Sequence, residues 1–198
     1  MEDVKKIEVI GTIRDGIAIG AKNIGPILVN VILWVLTIWI PYLNVGTTIG
    51  LVVGIVAKAS RGEAISFTEI FDARYRKYMG EYFLVSGLVF IGAFIGLAFF
   101  VIPGLVISMA WMFAPMLTVD KGKNPMEAIT LSNNITYGNK GRIFCIELLV
   151  AVVFGIVIAI LSFIPVIGPV LAFAVTVFLM FVWIGINASL YRQFAANV

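Results

Sequence analysis

The chain has 198 residues, of which 61% are hydrophobic and only 13% charged, with a formal net charge of +3 and a mean hydropathy of +1.07. Soluble domains carry about 25% charged and about 45–50% apolar residues, so a water-soluble globule is excluded and a bilayer is the expected solvent. There is no histidine and one cysteine, Cys145. That removes the commonest general base, any intrachain disulfide and any cysteine-rich metal site. Cys145 itself reads as a small apolar packing residue.

At the start of the chain, Glu2, Asp3, Glu8 and Asp15 interleave with Lys5, Lys6, Arg14 and Lys22, unlike the basic start and short apolar run of a signal peptide. Ile10, Ile13, Ile17, Ala21 and Ile24 recur at helical spacing. They predict either an amphipathic helix in the headgroup region or a helical lead-in to the first span.

Six apolar spans follow, over about Ile24–Ile40, Val45–Ala59, Phe83–Ile102, Gly104–Val119, Ile143–Ile164 and Val166–Asn187. Crossing a bilayer takes about 20 residues, and the second and fourth spans are short for it. The spans are paired by Ile40-Pro41, Ile102-Pro103 and Ile164-Pro165, each proline following the previous one by 62 positions, with no charge within ten residues of any of them. Proline ends or kinks a helix, and the Asn44, Gly46, Gly104, Gly168 and Pro169 that follow are turn formers. The expected fold is therefore an all-α integral membrane protein: six transmembrane or membrane-inserted helices as three proline-turned hairpins. The whole of 1–198 reads as one domain, with repeat-like units of about 1–60, 61–123 and 124–198.

The basic residues set the orientation. Lys58, Arg61, Arg74, Arg76 and Lys77 fall between the second and third spans, Lys121, Lys123, Lys140 and Arg142 between the fourth and fifth, and Arg192 after the sixth. The positive-inside rule then puts all these segments and both termini in the cytoplasm of a multi-pass inner-membrane protein. Trp39 and Tyr42 fall at the outer interface, and Tyr75, Tyr78, Tyr82 and Tyr191 at the inner one. Thr12/Asp15, Ser66/Glu69 and Asn124/Glu127 have capping-box spacing, with Pro125 favouring a helix start. After Ser66, the residues Phe67, Ile70, Phe71, Tyr78, Met79 and Tyr82 share a face, so amphipathic helices are expected on the cytoplasmic side. Arg74, Arg76, Lys77, Lys121, Lys140 and Arg142 form a candidate lipid-facing basic patch, able to contact anionic lipid or simply to anchor the fold.

Small residues four apart let helices approach closely in lipid. Gly46, Gly50 and Gly54 are the candidate packing face of the second span, Gly92 and Gly96 of the third, and Ala151, Gly155 and Ala159 of the fifth. They serve contacts within the chain or between copies. Polar residues inside the spans are Asn30, Ser86, Ser108, Glu147, Ser162, Thr176 and Asn187. Glu147, Asn30 and Asn187 are the candidate intramembrane polar site. Glu147 is the one acid in an apolar span, either paired with Arg142 or a nearby base, or a proton or ligand site.

The run Phe113-Ala114-Pro115-Met116-Leu117-Thr118-Val119-Asp120 through Asn124-Pro125-Met126-Glu127-Ala128, then Ser132 and Gly138, resembles a widespread family of uncharacterised prokaryotic integral membrane proteins. That family includes the membrane domain sometimes fused to glycerophosphodiester phosphodiesterases. Ser60-Arg61-Gly62-Glu63 before Phe67 and Phe71, Ile102-Pro103-Gly104 and Tyr191-Arg192-Gln193 fit the same pattern, so the resemblance covers most of 10–195. It implies a six-helix inner-membrane fold and no catalytic residues, and the phosphodiesterase domain is not in this chain.

No serine-histidine-aspartate set, phosphate loop or paired acidic metal motif is present. The expected function is a non-enzymatic accessory, scaffold or bilayer-organising subunit without a cofactor. The alternative is a small transporter or channel for a solute or lipid. The expected partners are the bilayer, including anionic lipid, and a membrane protein or a second copy, with no nucleic acid.

Overall fold

A computed structural model describes residues 6–165 and 167–195. Glu2, Asp3, Lys5 and Val166, used above, lie outside the described residues. Every regular element is a helix: α1 Val9–Lys22, α2 Ile24–Thr37, α3 Pro41–Arg61, a 3-10 turn at Glu69–Phe71, α4 Ala73–Lys77, α5 Met79–Phe99, α6 Val101–Asp120, α7 Pro125–Ile135, α8 Lys140–Ser162 and α9 Ile167–Ala195. Five of them (α3, α5, α6, α8 and α9) are long and apolar enough to cross a membrane. The pair α1 and α2, bent by 73°, makes a sixth if counted as one span.

The prolines start helices more than they end them. Pro41 is in the first turn of α3 and Pro103 in the first turn of α6, where the missing N–H would have had no partner anyway. The break between α5 and α6 is the single extended residue Phe100. Pro115 restarts α6 after a turn at Met112 and Phe113. Of the three capping spacings, only one forms as expected: Asn124 accepts from Glu127 N–H at 2.9 Å, with Pro125 at the first position. Thr12 lies inside α1, its hydroxyl turned back to Glu8 O. At Ser66 only the reach-back exists, Ser66 N–H to Glu69 Oε2 at 3.3 Å, and Asp72 caps α4 instead.

The core sits at the charged end. There α1, the lower parts of α3 and α6, α7 and the last third of α9 bury Ile55, Phe113, Leu117, Ile143, Ile184 and Leu190 completely or nearly so. The rest of α5, α8 and α9 leaves its apolar side chains uncovered: Phe90, Phe94, Ile156, Phe163 and Phe173 are all exposed.

Glycine decides which helices touch. The broadest helix contact joins α1 to α9. A Cβ on Gly16 would fall 2.7 Å from Ile186 Cα, and one on Gly185 would overlap Gly16 O. Thr12, Gly16 and Gly20 are thus the buried face of α1, while Ile10 and Ile17 point outward, as does Ile24 at the start of α2. Gly96 meets Gly104 in the α5/α6 hairpin, its Cβ position 2.8 Å from Gly104 Cα. The Ala151/Gly155/Ala159 stripe does not pack within the chain: all three are exposed and nothing lies within 4 Å of a Cβ on Gly155.

Two sequence expectations need correction. Tyr75 and Tyr191 are not interfacial belt residues; they are 6% and 2% exposed, and their hydroxyls donate to Glu69 and Asp120. The stretch after Ser66 is not one surface helix. It breaks into the 3-10 turn, α4 and the start of α5, and folds back along α3.

The glycine map yields a paired prediction. Gly185→Ala should destabilise by about 1–3 kcal/mol, the usual cost of overpacking a core, and Gly155→Ala should cost nothing comparable. Thermal unfolding in detergent, followed by circular dichroism, checks both; equal melting temperatures for the two variants would contradict the α1/α9 crossing.

Candidate functional site

The polar chemistry of the chain gathers around one buried carboxylate, Glu69, which is 3% exposed. A buried charge is tolerated only when paired and hydrogen-bonded, and Glu69 is both. Lys58 Nζ lies 2.7 Å from Oε2, and Tyr75 Oη donates to Oε1 at 2.7 Å. Ser66 N–H also reaches Oε2, and Arg74 is 3.8 Å from Oε1. Burial works to raise the Glu69 pKa, but the hydrogen bonds from Lys58, Tyr75 and Ser66 outweigh it and hold the carboxyl below its usual range. Burial first, then the bond to Glu69, pushes the Tyr75 phenol up, so it stays a donor.

Asn30 locks the same segment from the other side. Fully buried in α2, it donates to Pro26 O at 2.9 Å and Ser66 O at 2.7 Å, and accepts from Ile70 N–H at 3.0 Å. Gly46, Gly50 and Gly54 form the floor: a Cβ on Gly46 would lie 2.7 Å from Arg76 Cγ, one on Gly50 2.7 Å from Ile70 Cα, and one on Gly54 inside the Tyr75 ring. The backbone of α3 widens into a π-helical turn at Gly50–Gly54 where these groups press on it.

Above this floor lies a cleft of about 310 Å³ with Lys58, Arg61, Arg74 and Lys77 among its walls, together with Tyr75, Tyr78 and Asp120. Three of the four cations are matched: Lys58 by Glu69, Arg61 by Glu63 at 2.6 Å and Asp120 at 2.7 Å, and Arg74 by Asp72 at 2.8 Å. Lys77 has no carboxylate partner among the described residues and lies over the Tyr78 ring, 5.4 Å from its centroid. Asp120 also accepts from Tyr191, tying α6 to α9. Asp15 accepts from Ser189 and Arg192, tying α1 to α9. The arrangement is a charge-matched cross-link with one spare ammonium.

The candidate basic residues divide into those with partners in the chain and those without. Arg74 is paired, Lys140 donates to Asn133 Oδ1 at 2.7 Å, and Arg142 donates to Ile7 O at 2.6 Å, clamping the N-terminal segment together with Asn139. Arg76, Lys77 and Lys121 have no ion pair among the described residues. Glu147, Asn30 and Asn187 are not brought together either. Asn187 donates to Trp183 O on its own helix. Glu147 does not pair with Arg142; it stands without a hydrogen bond or ion pair among the described residues. It lines a groove between α8 and α9 with Val150, Ala151, Thr176, Leu179, Met180 and Trp183.

Sequence reasoning missed Lys58, Asp120, Tyr191 and Asp15 as network members, because their partners are 11 to 177 positions away. The Ser66/Glu69 spacing was a signal for the centre, but it was read as a helix cap. Compared with known proteins, the chain matches no family model, no curated protein and no solved structure.

The Glu69 centre has a pH signature. Because its folded pKa is depressed, it contributes stability above the ordinary carboxylate pKa, near 4, and that contribution is lost as pH falls through the lower folded value. Glu69→Gln should flatten this acid limb. It should also cost roughly 1–3 kcal/mol at neutral pH, because the amide removes the charge that Lys58 faces and leaves only one acceptor oxygen for the two donors Lys58 and Tyr75. Chemical unfolding at pH 3 to 7 in detergent checks both, and an unchanged acid limb in the variant would remove Glu69 as its source.

Proposed function

We propose that the chain is a non-enzymatic integral membrane protein, an accessory or scaffold subunit that organises the bilayer around it, with its charged base and both termini in the cytoplasm. The observation that carries this reading is that, Glu147 and Ser86 apart, most polar side chains of the apolar helices bond back to their own helix. Ser108 bonds to Gly104 O, Ser162 to Ile158 O, Thr176 to Ala172 O and Asn187 to Trp183 O, each on its own helix. A transport pathway needs polar groups turned toward a shared cavity. The base is instead cross-linked by Glu69, Asp120 and Asp15, which suits a rigid platform holding apolar hairpins in lipid. The resemblance of the Phe113–Ala128 run to a family of prokaryotic membrane proteins agrees with this reading.

Placing the base in the cytoplasm follows from its basic residues. The spare cations Lys77 and Lys121 are then the groups that meet anionic headgroups, each worth about 1 kcal/mol near an anionic surface. Reconstituted with mixed neutral and phosphatidylglycerol lipids, the native chain should enrich phosphatidylglycerol in its retained lipid. The double variant Lys77→Ala, Lys121→Ala should lose most of that enrichment. Equal lipid retention by the two would assign those lysines to bulk solvent.

Transport is tested through Glu147, the unpaired acid. Liposomes bearing the native chain should hold an imposed proton or potassium gradient as long as empty liposomes do, and Glu147→Gln should behave identically. Gradient collapse through the native chain, abolished in the Gln variant, would overturn the scaffold reading and put a small transporter or channel in its place.

A further inference from the structure

The first hairpin differs from the other two in what lies beside it. α3 has 67% of its apolar window buried within the chain, against 6% for α5 and 17% for α8. Its lower end, Ile55–Arg61, is buried against α9, but what covers the part above it is a charged segment. Asp72, Arg74, Arg76 and Lys77 all belong to the stretch that runs along the Gly46, Gly50 and Gly54 face, with Arg76 over Gly46 and Tyr75 over Gly54. The Arg74 side chain is 66% exposed. If α3 crossed a bilayer, this stretch would stand in hydrocarbon with its guanidinium groups uncovered, which charged side chains avoid.

Only the part of the hairpin beyond Gly46 is free of charged neighbours. Gly46 is six positions from the turn at Ile40, about 9 Å of helix. On the α2 side, Asn30, bonded to the same folded-back segment, is ten positions from Ile40, about 15 Å. The hydrocarbon core is about 30 Å thick, so the reach of this hairpin matches one leaflet.

The tip is built for lipid. Trp39 is 83% exposed, Tyr42 70% and Leu36 68%. The polar side chains among them are turned inward: Trp34 Nε1–H donates to Thr48 Oγ1 at 2.9 Å, Thr48 pairs with Asn44 Oδ1 at 3.0 Å, and Thr37 bonds back to Leu33 O at 2.9 Å. In water these groups would be free to bond solvent, whereas hydrocarbon requires internal partners.

We propose that α2 and α3 form a re-entrant wedge that enters only the leaflet next to the charged base, so that its occupant is the acyl-chain layer of that one leaflet, while α5, α6, α8 and α9 cross the membrane. A wedge in one leaflet displaces lipid on one side only, which deepens the bilayer-organising reading. It rests on that reading only for its purpose, since the depth of the hairpin and the flux through the chain are measured separately. A single excursion into one leaflet returns the chain to the side it left, as a full crossing and return would, so the termini stay together.

Depth measurement on a Cys145→Ala background tests it. Trp39→Cys and Tyr42→Cys replace side chains that are mostly exposed, so neither removes core packing, and Ile102→Cys reports the tip of the α5/α6 hairpin. A water-soluble maleimide added to sealed proteoliposomes on the side opposite the charged base should label Ile102→Cys and neither of the others. A nitroxide at position 39 should be accessible to oxygen and shielded from a water-soluble nickel complex. Labelling of Trp39→Cys or Tyr42→Cys from the same side as Ile102→Cys means that the first hairpin spans and overturns the proposal. Labelling of either from the base side, or nickel access at 39, places the tip in water and overturns it equally.

Discussion

Everything at the charged end follows from placing one carboxylate, Glu69, out of reach of water. Removing one partner from a buried ion pair costs far more than the pair itself contributes, so each neighbour is fixed by need. Lys58 must present its ammonium from α3, and Tyr75 must bring its hydroxyl into the interior. A tyrosine ring buried against α3 leaves no room for a side chain there, and this is why Gly50 and Gly54 stand where they do. The segment from Ser66 to Lys77 is short of regular structure because its backbone is held by side chains: Asn30 takes Ile70 N–H and Ser66 O, and Asp72 takes Arg74 N–H.

The two ends of the chain are joined by the same logic in a different currency. α1 and α9 approach until Gly185 meets the backbone of Gly16, and the contact is closed at its polar edge by Asp15 with Ser189 and Arg192. Close backbone approach supplies dispersion over many atoms, while the ionic edge fixes the register. The N-terminal helix is thereby part of the base, its isoleucine stripe facing outward where an apolar medium can cover it.

The helical class and the positions of the turns were legible because they depend on local composition. Ile40, Phe100 and Phe163 to Pro165 all sit at helix breaks, and Asn124-Pro125-Met126-Glu127 forms its cap. Tyr75 and Tyr191 were misjudged because an aromatic next to a basic residue looks the same whether it faces headgroups or a buried acid. Arg142 is one of several partners the sequence offers Glu147, five positions away, and it serves Ile7 O, 135 positions away. Spacing along one helix ranks near partners first and carries no information about a returning chain terminus. Gly46, Gly50 and Gly54 were recognised as a packing face, but what they pack against, a folded-back charged loop in place of another hairpin, depends on the buried bonds of Asn30 and Glu69.

The same limit applies to counting spans. A helix that buries its apolar side chains against protein and one that buries them against lipid can both be long and apolar enough to span, as α3 and α5 are, although α3 is the less apolar of the two. They part on two properties that hydropathy does not weigh. α3 carries a glycine at three successive turns of one face, Gly46, Gly50 and Gly54, which favours protein neighbours over lipid chains. It also shares its length with a segment holding two acids' worth of paired charge and three arginine or lysine side chains, Arg74, Arg76 and Lys77. Charge beside a helix is a depth marker as firm as charge within it, because hydrocarbon charges the same penalty to both. By that marker the proposed wedge ends where Arg76 crosses Gly46, and the apolar tip beyond it, Leu36 to Tyr42, is left for lipid to cover together with the outer face of α2 at Ile32 and Val35.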